Sequence, residues 1–267
     1  MSAASYPTRW RPPPQIFATR GHYWLFAAGV IVYLAWSLSA LNINWGRMIA
    51  GLPRALDMLE RMIPPDFSRQ ELLIKGMLES LQMALAATLA GIVLSVPLGI
   101  AAARNLAPRP IYLAARGFIV IGRTFHEIII AIFFVKLFGF GAVAGLLTLA
   151  YSSMTFLGKM LAEDIENVRM GQIEAVRATG AGFWQIIVFS VVPQVLSRTV
   201  GVIIYRLDAN VRHSTVIGIV GAGGIGQSLS ASFSRYDYDF AAAILLCIIA
   251  VVALGEWFSD WVRRKLR

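Results

Sequence analysis

The polar run Asp208-Ala209-Asn210-Val211-Arg212-His213-Ser214-Thr215 lies inside an otherwise apolar stretch. Asp208 and Arg212 are four residues apart with the acid first, the favourable order for an intrahelical ion pair. Ionisable groups in an apolar helix are costly and face a bundle interior or a watery cavity. Two readings follow: a pair that neutralises itself, or a pathway on which Arg212, with Asn210 and Thr215, meets an oxyanion, whose geometry a guanidinium fits. Glu127 is a second intramembrane acid and needs a cation; Arg123, four residues earlier, is the candidate in sequence. The glycine run Gly221-x-Gly223-Gly224-x-Gly226 matches a dinucleotide fingerprint, and with Gln227-Ser228 a phosphate loop lacking its lysine. Both patterns require a preceding strand, and here an apolar helix precedes, so nucleotide binding is set aside. What remains for Gly221, Gly223, Gly224 and Gly226 is a flexible outer gate or a nest of backbone N–H groups for an anion. His22, His126 and His213 are too far apart to suggest a metal cluster, and the single cysteine, Cys247, excludes an internal disulfide. No spacing for a Ser-His-Asp triad, zinc site or paired carboxylates occurs on any one helix, so no catalytic site is expected.

The elements that must position these residues follow from composition. Of 267 residues, 57% are hydrophobic and 15% charged, against roughly 45–50% and about 25% in a soluble domain. The net charge of +9 would fit nucleic acid only if it were concentrated on one polar face, and it is dispersed between apolar runs. Six stretches meet the criterion of about 17–25 mostly apolar residues: 23–41, 76–103, 117–138, 142–161, 195–217 and 241–262. The first has a core too long for a cleaved signal peptide and reads as a retained anchor. Ten basic residues (Arg9, Arg11 and Arg20; Arg104, Arg109 and Arg116; Arg263, Arg264, Lys265 and Arg267) fall in the two tails and the 104–116 connection. The positive-inside rule puts those segments, and both termini, in the cytoplasm.

The chain is therefore expected to be an all-α polytopic membrane protein in contact with the lipid bilayer. A cytoplasmic tail occupies 1–22, the first span and an external amphipathic segment 23–75, a core 76–262 and a basic tail 263–267. In the external segment, Ile49, Leu52, Leu56, Leu59 and Ile63 mark one helix face, a partner's docking surface or a linker helix, ended by Pro64-Pro65. Ala84, Ala86, Ala87, Ala90, Gly91 and Gly99 make the second span an interior helix, kinked by Pro97. Gly122-Arg123-Thr124 breaks an interface helix at 111–121 from the third span. Between the fourth and fifth spans, Gln172 to Gly182 reads as a short helix with a small-residue side, stopped by glycines and able to seat in another protein's groove.

Glu174-Ala175, Gly180 and Pro193 stand in the register of the Glu-Ala-Ala-x-x-x-Gly-x9-Ile-x-Leu-Pro motif, with Val176, Ser190 and Val192 at its other positions. The segment resembles the coupling loop of ABC importer permeases. The run from Asp208 to Gly218, the Val220 to Gly226 run and Phe156-Leu157-Gly158-Lys159 are similar to the phosphonate-importer branch, and the resemblance covers 76–262. One departure is His126, where that family commonly has a proline before the acid. The resemblance implies a type I ABC importer permease fold related to methionine-importer membrane components. It implies a coupling helix at about 164–182 that docks in an ATPase subunit through Glu174, Ala175 and Arg177, with Gly180 shaping the turn and Pro193 setting the start of the fifth span. Partners implied are two ATPase subunits, which would use ATP and Mg, an extracytoplasmic binding protein, and a second permease copy or homologue. This chain has no Walker lysine motif, so it is expected to bind no cofactor itself. The expected cargo is phosphonate or a related phosphorus oxyanion. Alternatives are phosphate, phosphite, methionine or a quaternary amine on the same fold, or a stand-alone secondary transporter, for which the sequence shows no inverted repeat.

Overall fold

The computed structural model describes residues 20–41 and 44–265, which among themselves form helices and no strand. Arg9, Arg11 and Arg267 of the predicted inside-facing clusters lie outside the described residues. The chain divides into two units, Met1–Asp57 and Met58–Arg267. In the first, α1 (Arg20–Ala40) is apolar on all sides, with Tyr23 and Trp24 near one end and Trp36 near the other, the placement aromatic residues take at membrane interfaces. It leads to α2 (Trp45–Arg61), a helix as the spacing predicts, on which the apolar side chains Ile49, Leu52 and Leu56 are exposed. The helix ends at Arg61, so Ile63 falls in the turn beyond it.

The second unit is built on α3 (Gln70–Ala101) packed along α6 (Ala142–Glu166). Small residues bring the two together, as expected. Ala84, Ala87, Gly91 and Gly99 are buried, and a β-carbon on Gly91 would collide with Ser153. In lipid this close backbone approach, rather than apolarity, drives helix association. Pro97 is accommodated inside α3, which runs on to Ala101. Around this pair lie α4 (Arg109–Thr124), α5 (Glu127–Phe138) and α9 (Val192–Gly218), joined by α10 (Gly224–Ser234) and α11 (Tyr238–Lys265). At the cytoplasmic side of the predicted topology lie α7 (Met170–Ala178) and α8 (Phe183–Ile186), with a π-helical segment, Ile187–Val191, running into α9.

Among the described residues, four helical stretches are long and apolar enough to cross a membrane: Gly21–Ala40, Gln70–Ala101, Phe183–Gly218 and Tyr238–Val262. The α4–α5 pair makes a fifth if its 92° bend is a broken span. The expected fourth span, 142–161, is the long helix α6, but its Thr148, Ser152, Ser153 and Thr155 lower its apolarity; three of the four are buried against other helices. The third span does break, three residues later than expected, at Phe125–His126. His126 does this by capping α5: its Nδ1 accepts the Ile128 N–H at 3.4 Å. The fifth helix also begins earlier than 195, because α8 and the π segment are continuous with α9. An eleven-residue helix, α10, was not anticipated between 218 and 240; it buries Ile225 and Leu229 against Leu73, Phe240 and Ile244.

At the external side of the predicted topology, Arg69 clasps two connections. Its Nη1 is 2.6 Å from Asp237 and its guanidinium stacks 4.1 Å from the centre of the Phe240 ring. The Arg69 guanidinium holds the Asp237 carboxyl below the ordinary aspartate range.

Candidate functional site

The predicted coupling region is built on one apolar anchor. Ile173 of α7 is buried with Ala103, Ile165, Val168, Ile186, Val191 and Val195. Fixing that side chain turns Glu174, Ala175 and Arg177 outward, where all three are exposed. The predicted coupling segment, 164–182, is thereby divided: 164–166 complete α6, α7 is nine residues long, and Thr179 and Gly180 close it. Gly180 N–H donates to the Arg177 carbonyl at 3.0 Å with φ +82. A β-carbon there would meet nothing within 4 Å, so the glycine is required by its left-handed backbone and not by lack of room. Pro193 lies at the junction of the π segment with α9, inside a helical stretch that is continuous from Phe183 to Gly218, so it interrupts the backbone ladder of the fifth span and does not begin it. Gln194 bridges the two elements: its Oε1 accepts the Arg169 N–H at 2.9 Å and its Nε2 donates to the Ser190 carbonyl at 2.9 Å. The start of α7 and the start of α9 are thus tied together.

The residues of the 208–215 run do not converge on one site. Asp208 and Arg212 pair at 2.6 Å, and Arg212 also meets Glu256 at 2.6 Å, so its charge is matched by two carboxylates. Asn210 is fully buried and donates to Thr88 and Ser153, each at 2.8 Å, tying α9 to α3 and α6. Thr215 Oγ1 donates to the Arg212 carbonyl of its own helix at 2.7 Å. The glycine run is a buried turn. The N–H groups of Gly221, Ala222 and Ile225 donate to Gly218 O, Ile217 O and Ser80 Oγ, which removes them as donors for an anion. Gly223 and Gly224 share the left-handed backbone of Gly221. A β-carbon on Gly226 would overlap the Thr215 carbonyl, so this turn is closely packed against α9 and a gate here has to move as a packed unit.

A polar site emerges instead around Glu127. The expected partner, Arg123, lies on α4, and the break at Phe125–His126 ends the helical register that would have brought the two together. Arg123 stacks 5.4 Å from the centre of the Phe156 ring. Glu127 is held from α9 and α6: Arg206 Nη2 is 3.0 Å from Oε1, Ser152 Oγ also hydrogen-bonds Oε1, and His213 Nδ1 is 2.5 Å from Oε2. Arg206 is 5% exposed and is oriented independently of Glu127, by Nε donating to Ser153 at 2.9 Å and by the Phe156 ring at 5.3 Å. These groups line a cavity of about 460 Å³ that also takes in Arg123, His126, Thr155 and Val216. Two arginines and two histidines face it against one carboxylate. His126 accepts the α5 cap at Nδ1, so its neutral tautomer carries the proton on Nε2. Sequence reasoning missed Arg206 and gave His213 no role. The available signal was their spacing with Asn210, at 206, 210 and 213 on one helix face, beside an acid that lacked a partner.

Comparison with known proteins agrees with this architecture. Residues 95–267 match the family model described as binding-protein-dependent transport system inner membrane component. The chain is 38% identical over 240 residues to the phosphite transport system permease protein PtxC of Stutzerimonas stutzeri, covering 90% of this chain and 86% of that one. It is 39% identical over 228 residues to the phosphate-import permease protein PhnE of Mycolicibacterium smegmatis, covering 85% of this chain but spanning 43% of that longer relative. Among solved structures, a chain of the MetNI methionine ABC transporter in inward-facing conformations superposes with a TM-score of 0.66 at 25% identity, covering 76% of this chain and 99% of that one.

Proposed function

Because the chain belongs to the family of binding-protein-dependent transport system inner membrane components, which are transport subunits and not enzymes, we propose that it is the permease of an ATP-driven importer for phosphonate or a related phosphorus oxyanion. The observation that carries the cargo is the cavity around Arg206: its cations outnumber its acids, which suits an anion crossing a low-dielectric bundle and repels a quaternary amine. The names of the phosphite and phosphate-import relatives support the same cargo class.

In this reading the α7 face formed by Glu174, Ala175 and Arg177 docks on an ATPase subunit, one for each of two permease copies or homologues. The ATPase pair uses ATP and Mg; this chain binds neither. ATP-driven closure of that pair moves α7, and the Gln194 bridge passes the motion to α9, which carries Arg206 into the cavity. The bundle thereby alternates between outward and inward access, receiving cargo from an extracytoplasmic binding protein. Both termini lie in the cytoplasm, the side to which the basic clusters assign them.

The test is ATP-dependent uptake into proteoliposomes holding the permease, its ATPase and its binding protein. Uptake of labelled phosphite or methylphosphonate is expected. Uptake of methionine alone overturns the cargo, and uptake by the permease without an ATPase overturns the class. Glu174→Arg and Gly180→Pro are each expected to abolish ATPase co-purification; retention of the ATPase by both overturns the α7 assignment.

A further inference from the structure

Glu127 occupies the place in the cavity where an anion would be held. Its two oxygens reach separate donors, Oε1 to Arg206 Nη2 and Ser152 Oγ, and Oε2 to His213 Nδ1. Two oxygens of a tetrahedral oxyanion present the same pair of acceptors to the same fork of donors. Arg206 does not depend on Glu127 for its position. Arg206 is fixed from behind by Ser153, which in turn accepts from Asn210, itself bonded to Thr88 of α3. Taking Glu127 away leaves a preorganised cationic seat.

Glu127 is also the cavity-lining charge best placed to leave. It is the first residue of α5, directly after the two-residue break that bends α4 from α5 by 92°, whereas Arg206 and His213 both lie within the unbroken long helix α9. Short connections of this kind are where rigid elements pivot. A side chain at such a joint can swing without unpacking α3, α6 and α9.

We propose that Glu127 is a built-in counter-anion that the cargo displaces: the oxyanion takes over Arg206 and His213, Glu127 is released, and α5 is uncoupled from α9. The inference rests on the oxyanion reading above. It gives the cavity two functions. A neutral or cationic solute has nothing to offer Arg206 and cannot displace the carboxylate, so Glu127 sets selectivity. The carboxylate also competes with cargo for the seat, which weakens cargo binding and lets it leave.

The test uses the complete transporter in proteoliposomes and reads KM and kcat for phosphite, together with the thermal midpoint of the complex. Glu127→Gln removes the competing charge. Its expected signature is a KM lowered about tenfold with a lower kcat, the pattern of cargo held too well. His213→Asn, which leaves the Glu127–Arg206 pair in place, is expected to raise KM several-fold with little change in the thermal midpoint. Should Glu127→Gln fail to assemble, the His213→Asn result decides. A lower thermal midpoint with unchanged KM in both variants overturns the exchange and makes the cluster a structural ion pair. Absence of phosphite and methylphosphonate uptake by the unsubstituted complex overturns the cargo reading first, before any variant is compared.

Discussion

At the α7 end of the bundle one buried isoleucine seats a nine-residue helix, while at the cavity a carboxylate, a guanidinium and an imidazole hold one another with the help of two serines. The first arrangement separates its tasks: Ile173 gives position, and Glu174 and Arg177 are free to meet a partner. The second merges them, because the groups that would meet cargo also stabilise the contact between α5, α6 and α9. A surface changed at α7 should therefore lose function without losing the fold. Loss of the buried Arg206 at the cavity should affect both.

The sharpest way to break that contrast is Arg206→Ala. It leaves Glu127 largely buried with only His213 and Ser152, and removing one partner of a buried ion pair costs about 3–5 kcal/mol. The thermal midpoint of the purified complex should fall markedly and uptake should disappear; an unchanged midpoint would show that the cluster does not support the fold. Next in size is Ile173→Ala, expected to cost about 2–4 kcal/mol locally through the cavity left behind. Hydrogen exchange should then rise across 167–182 while the α3–α6 pair stays protected, whereas Glu174→Arg should leave exchange unchanged and still lose the ATPase.

A smaller effect is expected for His126→Pro. The native φ of −67 at His126 and the extended conformation of Phe125 both suit proline, so the bend should survive with a stability change within about 1 kcal/mol. If uptake nevertheless falls, the imidazole is there for the cavity and not for the break. The smallest concerns the Arg69 clasp, far from both regions. Because the Asp237 carboxyl is held below its ordinary value, its contribution is present above the unfolded pKa of about 3.9 and is lost as pH falls through the folded value. Asp237→Asn should lower the thermal midpoint slightly at pH 7, and by progressively less as pH falls below the unfolded value.

What the sequence disclosed divides along the same line. The short helix of α7 and its glycine stop were legible because they are local: Gln172 to Gly182 is one short stretch, and its spacing is the geometry. The small residues of α3 were legible for a similar reason, since a helix face can be read from its own period. The Glu127 cluster was not legible, because its members come from residues 127, 152, 206 and 213 and meet only across three helices. Pairing Glu127 with Arg123 followed the helical spacing rule, and it failed because the rule holds only where the helix is unbroken. Arg212 drew attention by its motif, yet Asp208 and Glu256 both claim it. Arg206, with no acid three or four residues away in sequence, lines the cavity and pairs with Glu127.

The π segment at Ile187–Val191 has a consequence for how α7 and α9 are phased. A π turn is equivalent to one residue inserted into an α-helix, and one residue is about 100° of rotation. The chain entering α9 from α8 is thus wound by that angle relative to an uninterrupted helix. Deleting a single residue there would restore regular winding and rotate the chain before it, dragging Ile186 out of its apolar seat. The phase between α8 and α9 is a matter of angular register, held by one extra residue.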